Sequence, residues 1–339
     1  LATAALLGGC GPASQSPGEQ AVGAIAYSAW DGEGHAIHLV RTDGSGSEEI
    51  ARGTDGGPAW SPDGTQLAFD RCDPVTEEEC TLVVWEDGVE RELTRIDYGD
   101  PAWSPDGTEI AFGRCDESAD EACAIFVVPA EGGRPRRVTR DGLYGQPVWS
   151  PDGRRIAFDT TPPGIFVVAA DGSGILSSTN AFDADPNWSP DGRKIAFVRS
   201  ERVVADLWRH DVYVMNSDGT GARRIAEGDA STASPAWAPD GTQLAFVRWT
   251  DTGECPASTL FVSDPDGENP RRLTSYHDWG ADPAWSPDGR EIAFAQMEEC
   301  WSEKEAVLWL VAAQGGEPRQ LSPPARVEAG VDFAWRPPP

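Results

Sequence analysis

Apolar residues alternate with small and polar ones in a unit that returns along the chain. "PAWSPDGTQLAF" at residues 58–69 is followed by "PAWSPDGTEIAF" from Pro101, "PVWSPDGRRIAF" from Pro147, "PNWSPDGRKIAF" from Pro186, "PAWAPDGTQLAF" from Pro235 and "PAWSPDGREIAF" from Pro283. A shortened copy, "VDFAWRPPP", begins at Val331. Within the unit Pro presets φ at the first corner of a turn, Asp bonds its own backbone, and Gly accepts the positive φ that closes a hairpin. Trp60 therefore ends one strand, and Gln66 to Phe69 begin the next. A variable stretch follows, then a third apolar run such as "TLVVWEDG" or "AIFVVPAEGG", then a short fourth such as "RELT" or "RRVT". Each unit predicts a four-stranded antiparallel meander. Runs such as Ile165-Phe166-Val167-Val168 do not alternate cleanly, as expected of sheets covered on both faces. No convincing amphipathic helix is written anywhere.

The period sets the architecture. Trp60, Trp103, Trp149, Trp188, Trp237, Trp285 and Trp335 are separated by 43, 46, 39, 49, 48 and 50 residues, the range of propeller blades rather than of helical solenoids. The last copy holds only a first strand, while "AIAYSAW", "HAIHLV" and "SEEIA" near the N-terminus supply a second, third and fourth. The fold class is thus all-β: a seven-bladed β-propeller over residues 23–339, closed by pairing the C-terminal strand with the N-terminal three.

These residues carry a family resemblance. "PxWSPDGxxIAF" followed by "IxVxxxDGxxxRxLT" resembles the WD40-like (PD40) repeat of TolB-type propellers, from residue 23 to the end of the chain. The Tol-system protein of that family also carries an N-terminal α/β domain, which is not expected here, and has six blades where seven second strands are written here, from Ile25-Ala26-Tyr27 through Ile292-Ala293-Phe294. The family's partner therefore does not transfer directly, and the fold alone does not name a function.

Composition narrows the choice. A net charge of −29, with Lys194 and Lys304 the only lysines, excludes a nucleic-acid backbone as partner, since neutralising phosphates takes clustered Lys and Arg. "LATAALLGGC" followed by "GPASQSPGEQ" resembles a bacterial lipobox and its polar tether, so residues 1–22 are expected to be a lipoprotein signal remnant and flexible segment with Cys10 lipidated. No later apolar run approaches the ~20 residues of a membrane span. A monomer held at a membrane by lipid alone, periplasmic or on the cell surface, is the expectation. Cys72 and Cys80, Cys115 and Cys123, and Cys255 and Cys300 fall at one point of the repeat. Fifteen connectivities are open to six cysteines, and equivalent placement favours those three pairs, which suits an oxidising compartment. Zinc lacks the usual CxxC spacing.

Function is sought where the repeats differ. The residue before the repeated Pro reads Gly57, Asp100, Gln146, Asp185, Ser234, Asp282 and, where Phe333 replaces Pro, Asp332. Four carboxylates would ring one channel opening, beside Tyr98, Tyr144, Phe182, Asp183, Tyr276, His277, Asp278 and Trp279. Carboxylates ~8 Å apart at an effective dielectric of ~20 repel by about 2 kcal/mol per pair. A cation, a basic peptide or proton uptake would relieve that repulsion. The competing reading has these Asp residues satisfying neighbouring amides at a strand entry. The Asp of SPDG reads as a turn residue, because calcium loops place carboxylates more densely. His35, His38, His210 and His277 are scattered, and no G-x-S-x-G or HExxH occurs. The expectation is a non-catalytic exported lipoprotein that binds an envelope protein or peptide through an acidic, aromatic channel face. No metal or other cofactor is required, although the ring could take calcium. A carrier or sensor for a small cation or glycan is the second class, and a propeller enzyme such as a lyase the third.

Overall fold

The computed structural model describes residues 23–30, 35–52, 57–72, 80–116, 122–140, 142, 145–160, 164–179, 182–204, 207–226, 228, 230–250, 257–275, 277–278, 280–297, 305–321, 325–326 and 333–338. Every repeat becomes one antiparallel sheet. Blade 1 pairs Ala59–Trp60, Leu67–Cys72, Cys80–Glu86 and Val89–Ile96; blade 2 pairs Tyr98–Trp103, Glu109–Asp116, Ala122–Pro129 and Arg136–Arg137. Blade 3 holds Val148–Trp149, Arg155–Asp159, Ile165–Ala169 and Ile175–Ser178; blade 4 holds Phe182–Trp188, Lys194–Val204, Leu207–Asn216 and Arg223–Arg224. Blade 5 holds Ser231–Trp237, Leu244–Thr250, Ala257–Ser263 and Arg271–Arg272; blade 6 holds Gly280–Trp285, Glu291–Met297, Glu305–Ala312 and Arg319–Gln320. Blade 7 is composite: Phe333–Trp335 pairs with Ala24–Trp30 in the register Ile25↔Trp335, Ala26↔Ala334 and Tyr27↔Phe333, and His35–Arg41 and Ser47–Arg52 follow. The expected seven-bladed ring and its mode of closure are both present.

The second strand explains how blades stack. In Leu67-Ala68-Phe69 the bulky side chains lie on one face and alanine on the other, as the two-residue period of a strand requires. Leu67, Phe69 and Trp60 pack with Ala26 of blade 7, whereas Ala68 receives Ile110, Phe112 and Trp103 of blade 2. The same exchange recurs at every junction, giving seven apolar clusters for seven interfaces. Phe69, Phe112, Phe158, Phe197 and Phe246 are fully buried, each a burial worth roughly 1.5–3 kcal/mol. A flat alanine face on one blade is what admits the aromatic face of the next.

Each motif tryptophan also ties its blade to the one before. Nε1 of Trp103, Trp149, Trp188, Trp237, Trp285 and Trp335 donates to the backbone oxygen of Ala59, Ala102, Val148, Asn187, Ala236 and Ala284 respectively, at 2.9–3.1 Å. First strands of successive blades touch all the way round, which makes them the innermost layer. Trp60 departs from the rule: its buried Nε1 has no hydrogen-bond partner among the described residues. At this closing junction Arg336 stacks 4.9 Å over the Trp60 ring and donates from Nε to the Gly64 carbonyl at 2.8 Å.

The SPDG turns are nearly superposable in their chemistry. Gly64, Gly107, Gly153, Gly192, Gly241 and Gly289 have φ of 67–72°, the left-handed conformation that glycine adopts freely. In the first copy Asp63 Oδ1 accepts from Ser61 Oγ at 2.6 Å, Thr65 N at 3.1 Å and Thr65 Oγ1 at 2.9 Å. These donors, all from within the turn, hold its carboxyl below the ordinary range. Two structural elements go beyond the repeat. Ala325–Arg326 pairs with Glu305 and Ala306 and then with Trp30, joining blades 6 and 7 into one nine-stranded sheet. His277–Asp278 pairs with Ala257 and Ser258. Both arise because the two-residue fourth strands cover only part of a longer third strand, leaving its end open to a second partner.

Candidate functional site

The positions preceding the repeated proline gather at one end of the innermost layer, in two arcs. In blades 1 to 3, Asp100 Oδ1 accepts from the Gly57 amide at 2.8 Å and Oδ2 from Gln146 Nε2 at 3.1 Å. In blades 4 to 6, Ser234 Oγ donates to Asp282 Oδ1 at 2.7 Å, and Asp185 feels the charges of Asp282 and Asp159. The cross-blade contacts show that equivalent positions of consecutive repeats face a common opening.

Local backbone geometry places the second arc. Asp185, Ser234 and Asp282 have φ of 56°, 51° and 54°, a left-handed conformation uncommon for residues with a side chain. Each coincides with a slip in ladder register, between Ala184 and Asn187, Ala233 and Ala236, and Ala281 and Ala284. The proline that follows has no N–H to give the ladder, so the strand bulges there, and a bulge re-aims side chains.

The carboxylates differ in what satisfies them. Asp100 behaves as the strand-entry reading expects, bonded to an amide on the neighbouring blade; burial still pushes its carboxyl above the ordinary range, partly countered by the Gly57 N–H. Asp185 receives no hydrogen bond among the described residues. It is open to the channel yet hemmed in by protein around that opening. Loss of hydration, then the charges of Asp282 and Asp159, push it up to about 7. Its exposure decides whether a ligand can reach it, and its crowded surroundings decide its charge.

Asp183 is a correction to the acidic face. Its side chain is 0% exposed and lies in a forked pair with Arg199, at 2.7 and 2.8 Å, because it sits one pleat away from Phe182 on the opposite side of the strand. Asp159, at the end of the second strand of blade 3, joins the cluster instead. Its signal in the sequence was the "AFD" ending that only blades 1 and 3 share. Tyr98 begins the first strand of blade 2 and pairs with Gly113. His277 belongs to the short strand against the third strand of blade 5. Tyr144, Tyr276, Trp279, Asp332, Cys10, Cys255 and Cys300 lie outside the described residues. Cys72–Cys80 and Cys115–Cys123 are disulfides, each joining directly opposed residues of the second and third strands. Among the described residues only Asp70, Cys72 and Cys80 cluster as a potential metal set, and the disulfide consumes both thiols.

Seven four-stranded blades with PxW–SPDG hairpins, ringed at one end by pre-proline polar residues, define a β-propeller of the TolB kind. Residues 14–198, more than half of the chain, match the model of the PD40 family, the TolB β-propeller domain, and the chain belongs to that family. No curated protein matches it by sequence. Among solved structures it is similar to TolB from Acinetobacter baumannii, at 22% identity and a TM-score of 0.54, over 77% of this chain and 66% of that one. It is also similar to a puromycin-hydrolysing peptidase from Mycobacterium tuberculosis, at 16% identity and a TM-score of 0.64, over 90% of this chain and 54% of the peptidase. A structure from a study of two prolyl endopeptidases aligns at 12% identity and a TM-score of 0.64, over 92% of this chain and 50% of the other. The chain thus spans just under two thirds of that TolB and about half of each peptidase, and at these identities the likeness concerns the fold.

Proposed function

We propose that this propeller is a non-catalytic binding module whose carboxylate-lined mouth receives a basic segment of an envelope protein or peptide. The observation that carries this reading is Asp185, a channel-facing carboxylate that receives no hydrogen bond among the described residues, beside Asp282 and Asp159. Such a group is most strongly relieved by a cation brought from outside. Two disulfides suit an oxidising compartment, and with the lipobox-like Cys10 they support an exported protein anchored by lipid. The test is affinity capture from the native cell envelope with wild type and with a folded Asp185→Asn, Asp282→Asn double variant. A protein recovered by the wild type alone supports the module; identical recovery by both overturns the role of the mouth. If calcium raises the melting temperature of the wild type and not of the double variant, the mouth is a cation carrier instead.

A further inference from the structure

Blade 4 departs from its neighbours above the mouth. Its second and third strands run 11 and 10 residues, against five each in blade 3 and seven each in blade 5. Its two sides are unlike. On one, Phe182 stands opposite Ser200, which stands opposite His210, and Arg202 opposite Trp208. Phe182 and Trp208 meet edge to face with centroids 5.0 Å apart, yet are 52% and 40% exposed. His210 accompanies them, bonded through Nδ1 to Ser200 Oγ at 2.7 Å and set edge-on to Trp249 of blade 5 at 6.0 Å.

The other side is a network of charges. Arg199 forks onto Asp183, Arg209 and Arg224 hold the two oxygens of Asp211 at 2.8 and 2.7 Å, and Arg209 reaches Glu201 at 3.3 Å. Asp183 and Asp211 are 0% and 1% exposed in their side chains. Buried pairs of this kind contribute little net stability against apolar packing, but they fix geometry. Here they brace a hairpin whose other side shows aromatic surface to solvent. Phe182 and Asp185 share the strand Phe182–Trp188, three residues apart, which is about 10 Å at most along an extended chain and less across the bulge at Asp185. The aromatic crest therefore stands at the rim of the acidic mouth.

We propose that the crest formed by Phe182 and Trp208 is the apolar half of a two-part site, and that its occupant is an extended peptide segment pairing an arginine or lysine with an aromatic or large aliphatic residue about three positions away. The basic residue enters the mouth at Asp185 and Asp282, while the apolar one covers the crest. Charge complementarity sets the sign of the partner: the chain carries −29, and Asp185, which receives no hydrogen bond among the described residues, lies on the same strand as Phe182. The inference rests on the mouth being a cation-binding site, and its test separates the two claims.

The whole purified protein is panned at low ionic strength against random dodecapeptides displayed on phage. Enriched peptides are synthesised, each with a control in which the apolar residue is serine, and measured by fluorescence anisotropy. Enriched sequences are expected to combine a basic and a large apolar residue. Phe182→Ala with Trp208→Ala should weaken them at least tenfold and leave the serine controls unchanged, whereas Asp185→Asn with Asp282→Asn should weaken both sets. Both crest residues are half-exposed, so their variant is expected to melt at a somewhat lower temperature but in a transition as cooperative as the wild type's; Trp208→Ser alone provides a second, milder probe. If basic peptides bind but neither crest variant weakens them, the crest proposal falls and the mouth reading stands. If no basic sequence is enriched, both fall. Enrichment of purely aromatic peptides that soluble glycans displace also overturns the proposal.

Discussion

Replacing Asp185 with Asn should make the protein more stable at neutral pH, and the gain should vanish in acid. The carboxyl sits at about 7 in the folded protein against an ordinary 3.8, so between those values the folded chain holds a proton that the unfolded chain has released. Stability then falls as pH rises from about 4 to about 7 and levels off above that window. The undiscounted span is about 4 kcal/mol at ~1.36 kcal/mol per pH unit. Asp185 is open to channel water, which screens its charge as at other exposed sites, and about 1–2 kcal/mol is the expected size. For 339 residues at roughly 2.1 cal/mol/K each, that is about 1.5–3 °C in melting temperature. Asn keeps the shape and cannot ionise, so thermal unfolding of wild type and variant from pH 4 to 8 isolates the effect. The difference should grow up to about pH 7 and then stay constant. A difference independent of pH, or one largest at pH 4, would refute the claim that crowding and the charges of Asp282 and Asp159 raise this group.

Two further outcomes follow from the ring's construction. Trp149→Phe removes the donor to the Ala102 carbonyl and should cost about 1–3 kcal/mol in urea unfolding. Trp60→Phe, whose Nε1 has no partner among the described residues and whose ring can still lie under Arg336, should cost measurably less; equal losses would count against the interblade bond as the reason. Ala238→Ser restores the hydroxyl found in the other five SPDG turns, where Ser Oγ donates to Asp and, as in Gln66 N→Ser61 Oγ at 2.9 Å, accepts the closing amide. It should stabilise by about 1 kcal/mol, and a loss of stability would mean that the 3%-exposed site of Ala238 cannot admit an oxygen.

What could be read from the sequence is local chemistry repeated at a fixed period. Pro, Asp and Gly dictate the SPDG turn through a fixed φ, a self-bonding carboxylate and a free positive φ, and the tryptophan spacing sets blade size. The composite blade was legible because the strand missing from one end of the chain is written at the other. The Leu-Ala-Phe alternation already contains the asymmetric faces that the ring interlocks. Tertiary structure decided the rest, because it depends on which side of a bulge a side chain leaves and which blade stands opposite. Asp183 and Asp185 are two residues apart and equally acidic on paper; one is neutralised by Arg199 inside blade 4, and the other faces the channel with Asp282 and Asp159. The aromatic crest likewise depends on cross-strand register and on an ion network drawn from four separate strands. Turn propensity belongs to consecutive residues and survives in the sequence, whereas hydration and charge at a site are set by groups that only closure of the ring brings together.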